Sequence, residues 1–314
     1  MGKTAFIFPG QGAQKAGMGK DFYEKYDTAK DVFDSAGEWL DLDMKALCFE
    51  ENDRLDLTEY TQAAMVTTCL AMTRVAESKG LKADITAGLS LGEYPAIAAA
   101  GGMNDMDAIR LVRKRGILMQ NTVPGEGAMC AVISMAAEEI EKVIEPIADV
   151  SVANYNCPGQ IVITGKTDAV EEAAAKLKEA GARRTIMLNV SGPFHSQMLV
   201  PAGEKLAEEL EHTRFHELRI PYVTNVTAEK VTDIRETPGL LTTQISSPVR
   251  WMQSMERMIA DGVDTFVEIG PGKTLEGFLR KIDRSVKVFH ISQWEDVDKV
   301  CEKLADGGNR MEES

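Results

Sequence analysis

Residues 88–92 read Gly-Leu-Ser-Leu-Gly, at the end of an apolar stretch and just before the helix-like run 93–100. A serine between two glycines at such a boundary predicts a strand, a sharp turn and a helix, because small flanking residues permit that strained geometry. A hydroxyl projected from the turn is open to a base and to oxyanion donors. Ser90 is therefore the first candidate for a nucleophile.

The rest of the chain fits an α/β frame around this turn. The apolar run 5–8 reads as a buried strand and breaks at Pro9-Gly10-Gln11-Gly12. Helical patterns follow at 22–40, 62–79 and 105–121. Strands alternating with helices imply a sheet with parallel pairing. The middle differs: strand-like 128–133, helix-like 136–147, strand-like 150–155 and 160–164, helix-like 168–180 and strand-like 184–190. That order is βαββαβ, the split arrangement of a ferredoxin-like unit. The expected organisation is a large α/β-hydrolase-like domain from residues 1–124 and 192–306, interrupted by a ferredoxin-like insert over 125–191. After the insert come a helix at 201–210, a polar connection, and strands at 265–269 and 286–291. Residues 307–314 read as a disordered tail.

At 314 residues, with 44% apolar and 27% charged residues, the chain has the composition of a soluble globular protein. Acids outnumber bases 49 to 35, and the net charge of −14 argues against affinity for nucleic acid or anionic lipid. Cys48, Cys69, Cys130, Cys157 and Cys301 are odd in number and widely spaced, which suggests neither a disulfide framework nor a zinc site and fits a reducing compartment. The first apolar run is too short for a signal peptide and no run approaches a membrane span, so a cytoplasmic location is expected.

A serine nucleophile needs a base, and the histidines are His195, His212, His216 and His290. His212 and His216 lie in a charged stretch and read as solvated. His290 lies in an apolar strand and reads as a core histidine. His195 sits in the turn-rich loop Gly192-Pro193-Phe194-His195-Ser196 that joins the insert back to the large domain, where pocket residues collect. It is the candidate base. The acids between Ser90 and His195, such as Asp149 and Asp168, fall inside the insert, which weakens a hydrolase triad. Arg115, among Arg110, Arg113 and Lys114, reads by spacing alone as a surface helix arginine.

Six segments taken in order carry a resemblance: Phe8-Pro9-Gly10-Gln11-Gly12, Gly88-Leu89-Ser90-Leu91-Gly92-Glu93, Arg115, Gly192-Pro193-Phe194-His195-Ser196, Gln244 with Ser247-Pro248-Val249, and Glu268-Ile269-Gly270-Pro271-Gly272. Over residues 1–304 the chain is similar to the malonyl-CoA:acyl carrier protein transacylases, acyltransferases of bacterial fatty-acid synthesis. The resemblance implies Ser90 as nucleophile, His195 as general base, and the main-chain carbonyl of Gln244 as the group orienting the imidazole. It implies the backbone N–H groups of Gln11 and Leu91 as an oxyanion hole. Arg115 would hold the malonyl carboxylate, Phe194 would crowd branched acyl groups, and Asn154 and Asn156 would line the cleft, with a turn role as the alternative for Asn156. Leu89 departs from the family, which often has histidine there. The implied partners are malonyl-CoA and an acyl carrier protein, with no metal and no cofactor beyond the CoA of the substrate, and a monomer is expected. Arg280, Lys281 and Arg284, or Arg183 and Arg184, are candidates for carrier docking, with a solvated face as the alternative. Other readings are a serine thioesterase or esterase, a polyketide-type acyltransferase, and a non-catalytic carrier-binding module.

Overall fold

A computed structural model describes residues 2–190 and 192–309. Its larger sheet has six strands: β1 (Lys3–Phe8), β2 (Ile85–Gly88), β7 (Tyr222–Val223), β8 (Lys230–Val231), β9 (Val263–Ile269) and β10 (Lys287–Ile291), ordered β10-β9-β1-β2-β7-β8. All neighbours pair in parallel except β7 with β8. The central strand shows why its sequence is a continuous apolar run. Phe6 and Phe8 enter the core on one face, with the long helix Thr58–Ser78, while Ala5 and Ile7 enter a second core with Trp251, Met255, Leu275 and Leu279. A parallel strand covered on both faces needs no polar alternation. The register sets Phe8 opposite Gly88, so the Pro9–Gly12 turn and the serine turn leave the sheet side by side at its carboxyl end. Open α/β sheets bind ligands at that end.

The second sheet contains β3 (Gly127–Ile133), β4 (Val150–Cys157), β5 (Gln160–Lys166) and β6 (Arg184–Met187), ordered β4-β5-β3-β6 and antiparallel throughout. Its helices Ala137–Ile144 and Thr167–Glu179 give the element order read from sequence. The period of two is visible in β3: Cys130 and Val132 pack with Ile140 and Leu177, whereas Met129 and Ala131 join the main core. This sheet is therefore fused to the larger one through its second face. Backbone bonds add to the join, with Tyr155 N–H donating to the Val249 carbonyl (2.9 Å) and Val249 N–H to that of Ala153 (2.8 Å).

Several expected elements change. The helix read at 22–40 is two, Lys20–Lys25 and Asp27–Leu40, because Tyr26 takes an extended conformation. The polar connection after the helix Val200–Glu211 holds β7, β8 and the helices Thr237–Gln244 and Trp251–Ala260. Helix Thr274–Ile282 also escaped the sequence reading. The last helix, Trp294–Asn309, runs into the segment expected to be a disordered tail, and residues 310–314 lie outside the described residues. Among the described residues, no helix is long and apolar enough to cross a membrane.

Candidate active site

At the end of β2 the chain turns through Ser90, whose φ of 52° lies in the left-handed region that costs a non-glycine residue on the order of 1–3 kcal/mol. Its flanking glycines are required by space. A Cβ on Gly88 would lie 1.8 Å from the Gly92 carbonyl oxygen, and one on Gly92 would lie 2.2 Å from that of Phe8. The side chain of Asn225 locks the turn, accepting from Ser90 N–H (2.6 Å) and donating to the Gly88 carbonyl (2.7 Å). A 3₁₀ turn over Ser90–Gly92 then leads into helix Glu93–Ala99.

His195 arrives from the loop after β6, also with positive φ (63°), and its Nε2 lies 2.7 Å from Ser90 Oγ. Its Nδ1 lies 2.9 Å from the main-chain carbonyl of Gln244, the last residue of helix Thr237–Gln244. A carbonyl only accepts, so Nδ1 carries the proton and Nε2 is left to accept from the serine hydroxyl. No carboxylate is needed to fix the tautomer. Burial, aided by the Arg115 cation, pushes the imidazole pKa down to about 4. The buried ring therefore stays unprotonated throughout the neutral range.

Arg115 is buried, only 1% exposed, which overturns its spacing-based reading as a surface residue. Its Nη1 donates to Gln62 Oε1 (2.9 Å), and its Nη2 donates to Gln244 Oε1 (3.0 Å) and Ser90 Oγ (3.2 Å). The guanidinium lies 5.4 Å from the Tyr94 ring centre. The adjacent Arg113 and Lys114 point elsewhere and pair with Glu59 (2.9 Å) and Glu209 (3.3 Å). Burial lowers the pKa of Arg115, yet an arginine remains a cation. Behind it, the buried Glu93 accepts at Oε2 from Gln244 Nε2 (2.6 Å) and from Asn225 N–H (3.1 Å). Burial raises this carboxyl to about 7.

The other named residues surround this constellation less tightly. Gln11 stands in the turn after β1 with its side chain donating to Thr58 Oγ1 (3.1 Å), and Leu91 is buried in the serine turn. Phe194 is buried directly before His195. Asn154 and Asn156 are buried in β4; Asn156 is a strand residue and not a turn former, and its Oδ1 has no hydrogen-bond partner among the described residues. His212 ends a helix in solvent, and His290 is half-buried against Glu276 (3.1 Å), so the expected core position for His290 is incorrect. Among the exposed docking candidates, Arg280 is already paired with Glu276 (2.7 Å). Sequence reasoning assigned no role to Gln62, Glu93, Tyr94 or Asn225. Glu93 carried a signal, as the one charged residue of helix Glu93–Ala99, and Gln62 and Asn225 carried none. Among the described residues no group of histidine, cysteine and acidic side chains is placed to hold a metal ion.

Residues 5–295 match the acyl transferase domain family. The chain is 44% identical to a malonyl CoA-acyl carrier protein transacylase of Bacillus subtilis (strain 168), over 97% of this chain and 98% of that one. Among solved structures, it is similar to the malonyl CoA-acyl carrier protein transacylase of Clostridium perfringens, with a TM-score of 0.95, 42% identity and 99% of each chain covered. It is similar also to a malonyl-transacylase solved in complex with its type II PKS acyl-carrier protein, with a TM-score of 0.93, 36% identity, and 96% of this chain and 99% of that one covered.

Proposed function

Since the chain belongs to the acyl transferase domain family, we propose that it moves a malonyl group from malonyl-CoA to the phosphopantetheine thiol of an acyl carrier protein, through an ester on Ser90. The observation that carries this reading is the convergence on one oxygen: Ser90 Oγ lies 2.7 Å from His195 Nε2 and 3.2 Å from Arg115 Nη2. A base and a carboxylate receptor thus address the same nucleophile.

In the first half-reaction, Ser90 Oγ attacks the thioester carbon as its proton passes to His195 Nε2. The negative charge that develops on the carbonyl oxygen is held by the N–H groups of Gln11 and Leu91. Collapse breaks the carbon–sulfur bond, and the proton on Nε2 goes to the departing CoA sulfur. In the second half, the carrier thiol gives its proton to Nε2 and attacks the acyl-serine, and the proton returns to Ser90 Oγ. One covalent intermediate serving two acceptors in turn gives ping-pong kinetics.

Arg115 supplies selectivity. Its fork binds a carboxylate through charge-assisted hydrogen bonds, each worth about 1.5–3 kcal/mol, whereas an acetyl group leaves a buried cation without that partner. Phe194 crowds a branched α-carbon, and Asn154 and Asn156 line the cleft. We read residues 125–191 as a ferredoxin-like insert in a hydrolase-like domain, an arrangement supported by the antiparallel order β4-β5-β3-β6 and by the loop that delivers His195. The steps use the CoA thioester as substrate and draw on these side chains and backbone groups alone.

Intact-protein mass spectrometry after brief exposure to malonyl-CoA or acetyl-CoA, followed by phosphopantetheinylated carrier, tests this reading. A malonyl adduct on Ser90 that disappears as malonyl carrier forms is the expected result. Free malonate without carrier acylation would instead mean a thioesterase, and no adduct or turnover would mean a binding role. Replacing Arg115 by Ala should lower malonyl transfer by roughly 10²-fold or more while acetyl transfer changes little, and equal losses would remove the carboxylate role.

A further inference from the structure

We propose that Glu93 is a positioning residue that sets how strongly Arg115 holds an acyl carboxylate, balancing the buried cation through the Gln244 amide while keeping its own carboxylate out of the guanidinium fork. This rests on the acyl-transfer reading above and deepens it. A buried cation without compensation is costly. Yet the hydrogen-bond acceptors facing the Arg115 guanidinium are all neutral: Gln62 Oε1 (2.9 Å), Gln244 Oε1 (3.0 Å) and Ser90 Oγ (3.2 Å). The compensating carboxylate stands one amide away. Gln244 accepts from Arg115 at Oε1 and donates from Nε2 to Glu93 Oε2 at 2.6 Å, so its dipole is aligned between the two charges.

The intervening amide has a consequence for substrate. A carboxylate in direct contact with Arg115 would occupy the fork and compete with an acyl carboxylate. Held behind Gln244, Glu93 stabilises the cation without blocking it, and its own charge opposes the incoming anion at slightly longer range. The same oxygen of Glu93 accepts the Asn225 backbone N–H, and the Asn225 side chain holds Ser90 N–H, so one acid ties the receptor to the turn.

The surroundings make this acid the group that titrates near neutrality. Arg115 faces it from helix Asp105–Asn121, Tyr94 follows it on its own helix, Tyr222 approaches from β7, and His195 shares Gln244 with it. Burial pushes both tyrosines far up, so they stay neutral, and holds His195 at about 4. Glu93, raised by burial to about 7, is neutral below that value and anionic above it. An anionic substrate is therefore held more weakly as pH rises through the same range.

Glu93→Gln removes the charge, and its amide oxygen can keep the two hydrogen bonds that end on Oε2, from Gln244 Nε2 and Asn225 N–H. At about pH 8 the variant should show a malonyl-CoA KM lower by about three- to tenfold, with the KM for pantetheine as acyl acceptor unchanged. The wild-type malonyl-CoA KM should rise between about pH 6 and 8.5 and that of the variant should stay flat. A malonyl KM and pH profile unaltered in the variant, or equal shifts for malonyl-CoA and pantetheine, would overturn the proposal. Should the variant fold poorly, a wild-type malonyl KM flat over that range overturns it as well. Absence of any malonyl adduct on the wild-type chain overturns the transfer reading and this one with it, whereas an adduct with an unchanged variant KM overturns this one alone.

Discussion

Two strand-to-helix junctions leave the carboxyl end of the same sheet, and they are satisfied in opposite ways. After β9, the carboxylate of Glu268 accepts from the N–H groups of Leu275 (3.1 Å) and Glu276 (2.8 Å), so the strand's own acid caps the helix that follows within eight residues. After β2, the turn takes its partners from far away: Ser90 N–H is held by Asn225, 135 residues on, and the Ser90 carbonyl by Gln244 Nε2, 154 residues on. The first junction caps its helix from its own strand, with Gly270 N–H also donating to the Ile291 carbonyl (3.1 Å). The second leaves the serine hydroxyl to His195 (2.7 Å) and Arg115 (3.2 Å), the pair proposed above as base and carboxylate receptor. Local satisfaction marks a structural joint here, and satisfaction from a distance marks the chemical one.

The largest expected contrast comes from glycine. Gly88→Ala sets a Cβ 1.8 Å from the Gly92 carbonyl oxygen, a clash with backbone that only a shift of the turn relieves. It should lower stability by about 3 kcal/mol or more and abolish the acyl-serine adduct. Gly272→Ala in the other junction meets nothing nearer than Ala13 Cβ at 4.0 Å, and its positive φ (81°) alone should cost about 1–2 kcal/mol. Thermal unfolding combined with adduct mass spectrometry separates the two. Acylation lost to the same extent in both would erase the distinction between the joints.

A smaller contrast comes from the groups that satisfy each turn. Asn225→Ala removes the partner of both Ser90 N–H and the Gly88 carbonyl and should cost about 1–3 kcal/mol, with the acylation rate falling about tenfold as the turn loosens. Glu268→Gln keeps one acceptor for the helix N-terminus and should lower the melting temperature by a few degrees, about 1 kcal/mol, with kcat unchanged. A Glu268→Gln variant that loses kcat, or an Asn225→Ala variant that loses only stability, would exchange the roles assigned here.

The same division governs what could be read from sequence. Ser90 was legible because its turn chemistry is local and β1 because it is a continuous apolar run, while helix Asp105–Asn121 and the βαββαβ order were legible because their periods are long enough to count. Asn225 was not, because nothing near it in sequence announces that it will bond to a turn 135 residues earlier. The depth of Arg115 was hidden for a related reason. Its neighbour Lys114 is exposed and Arg113 is half-buried against Glu59, and successive helix positions lie about 100° apart, so composition gave the wrong face for Arg115. β7 and β8 have two residues each, too short to show any period. Helix Trp251–Ala260 buries Trp251, Met255 and Met258, a helical spacing of apolar residues that was available to be counted.

The finest test of the chemical joint is its acid limb. In the role proposed for it, His195 takes a proton only when neutral, and kcat/KM reports that protonation in the free enzyme. With the pKa pushed down to about 4 by burial and by Arg115, kcat/KM should fall with acid only near that value, well below the ordinary histidine range. Burial is the larger cause and the Arg115 cation the second, so Arg115→Ala should move the limb upward while leaving most of the depression in place. A limb unmoved by loss of the cation would place Arg115 electrostatically apart from the base despite the Ser90 oxygen they share. A limb restored to the ordinary histidine range would mean that the cation, and not the buried setting made by the turn and its distant partners, holds the base in its neutral form.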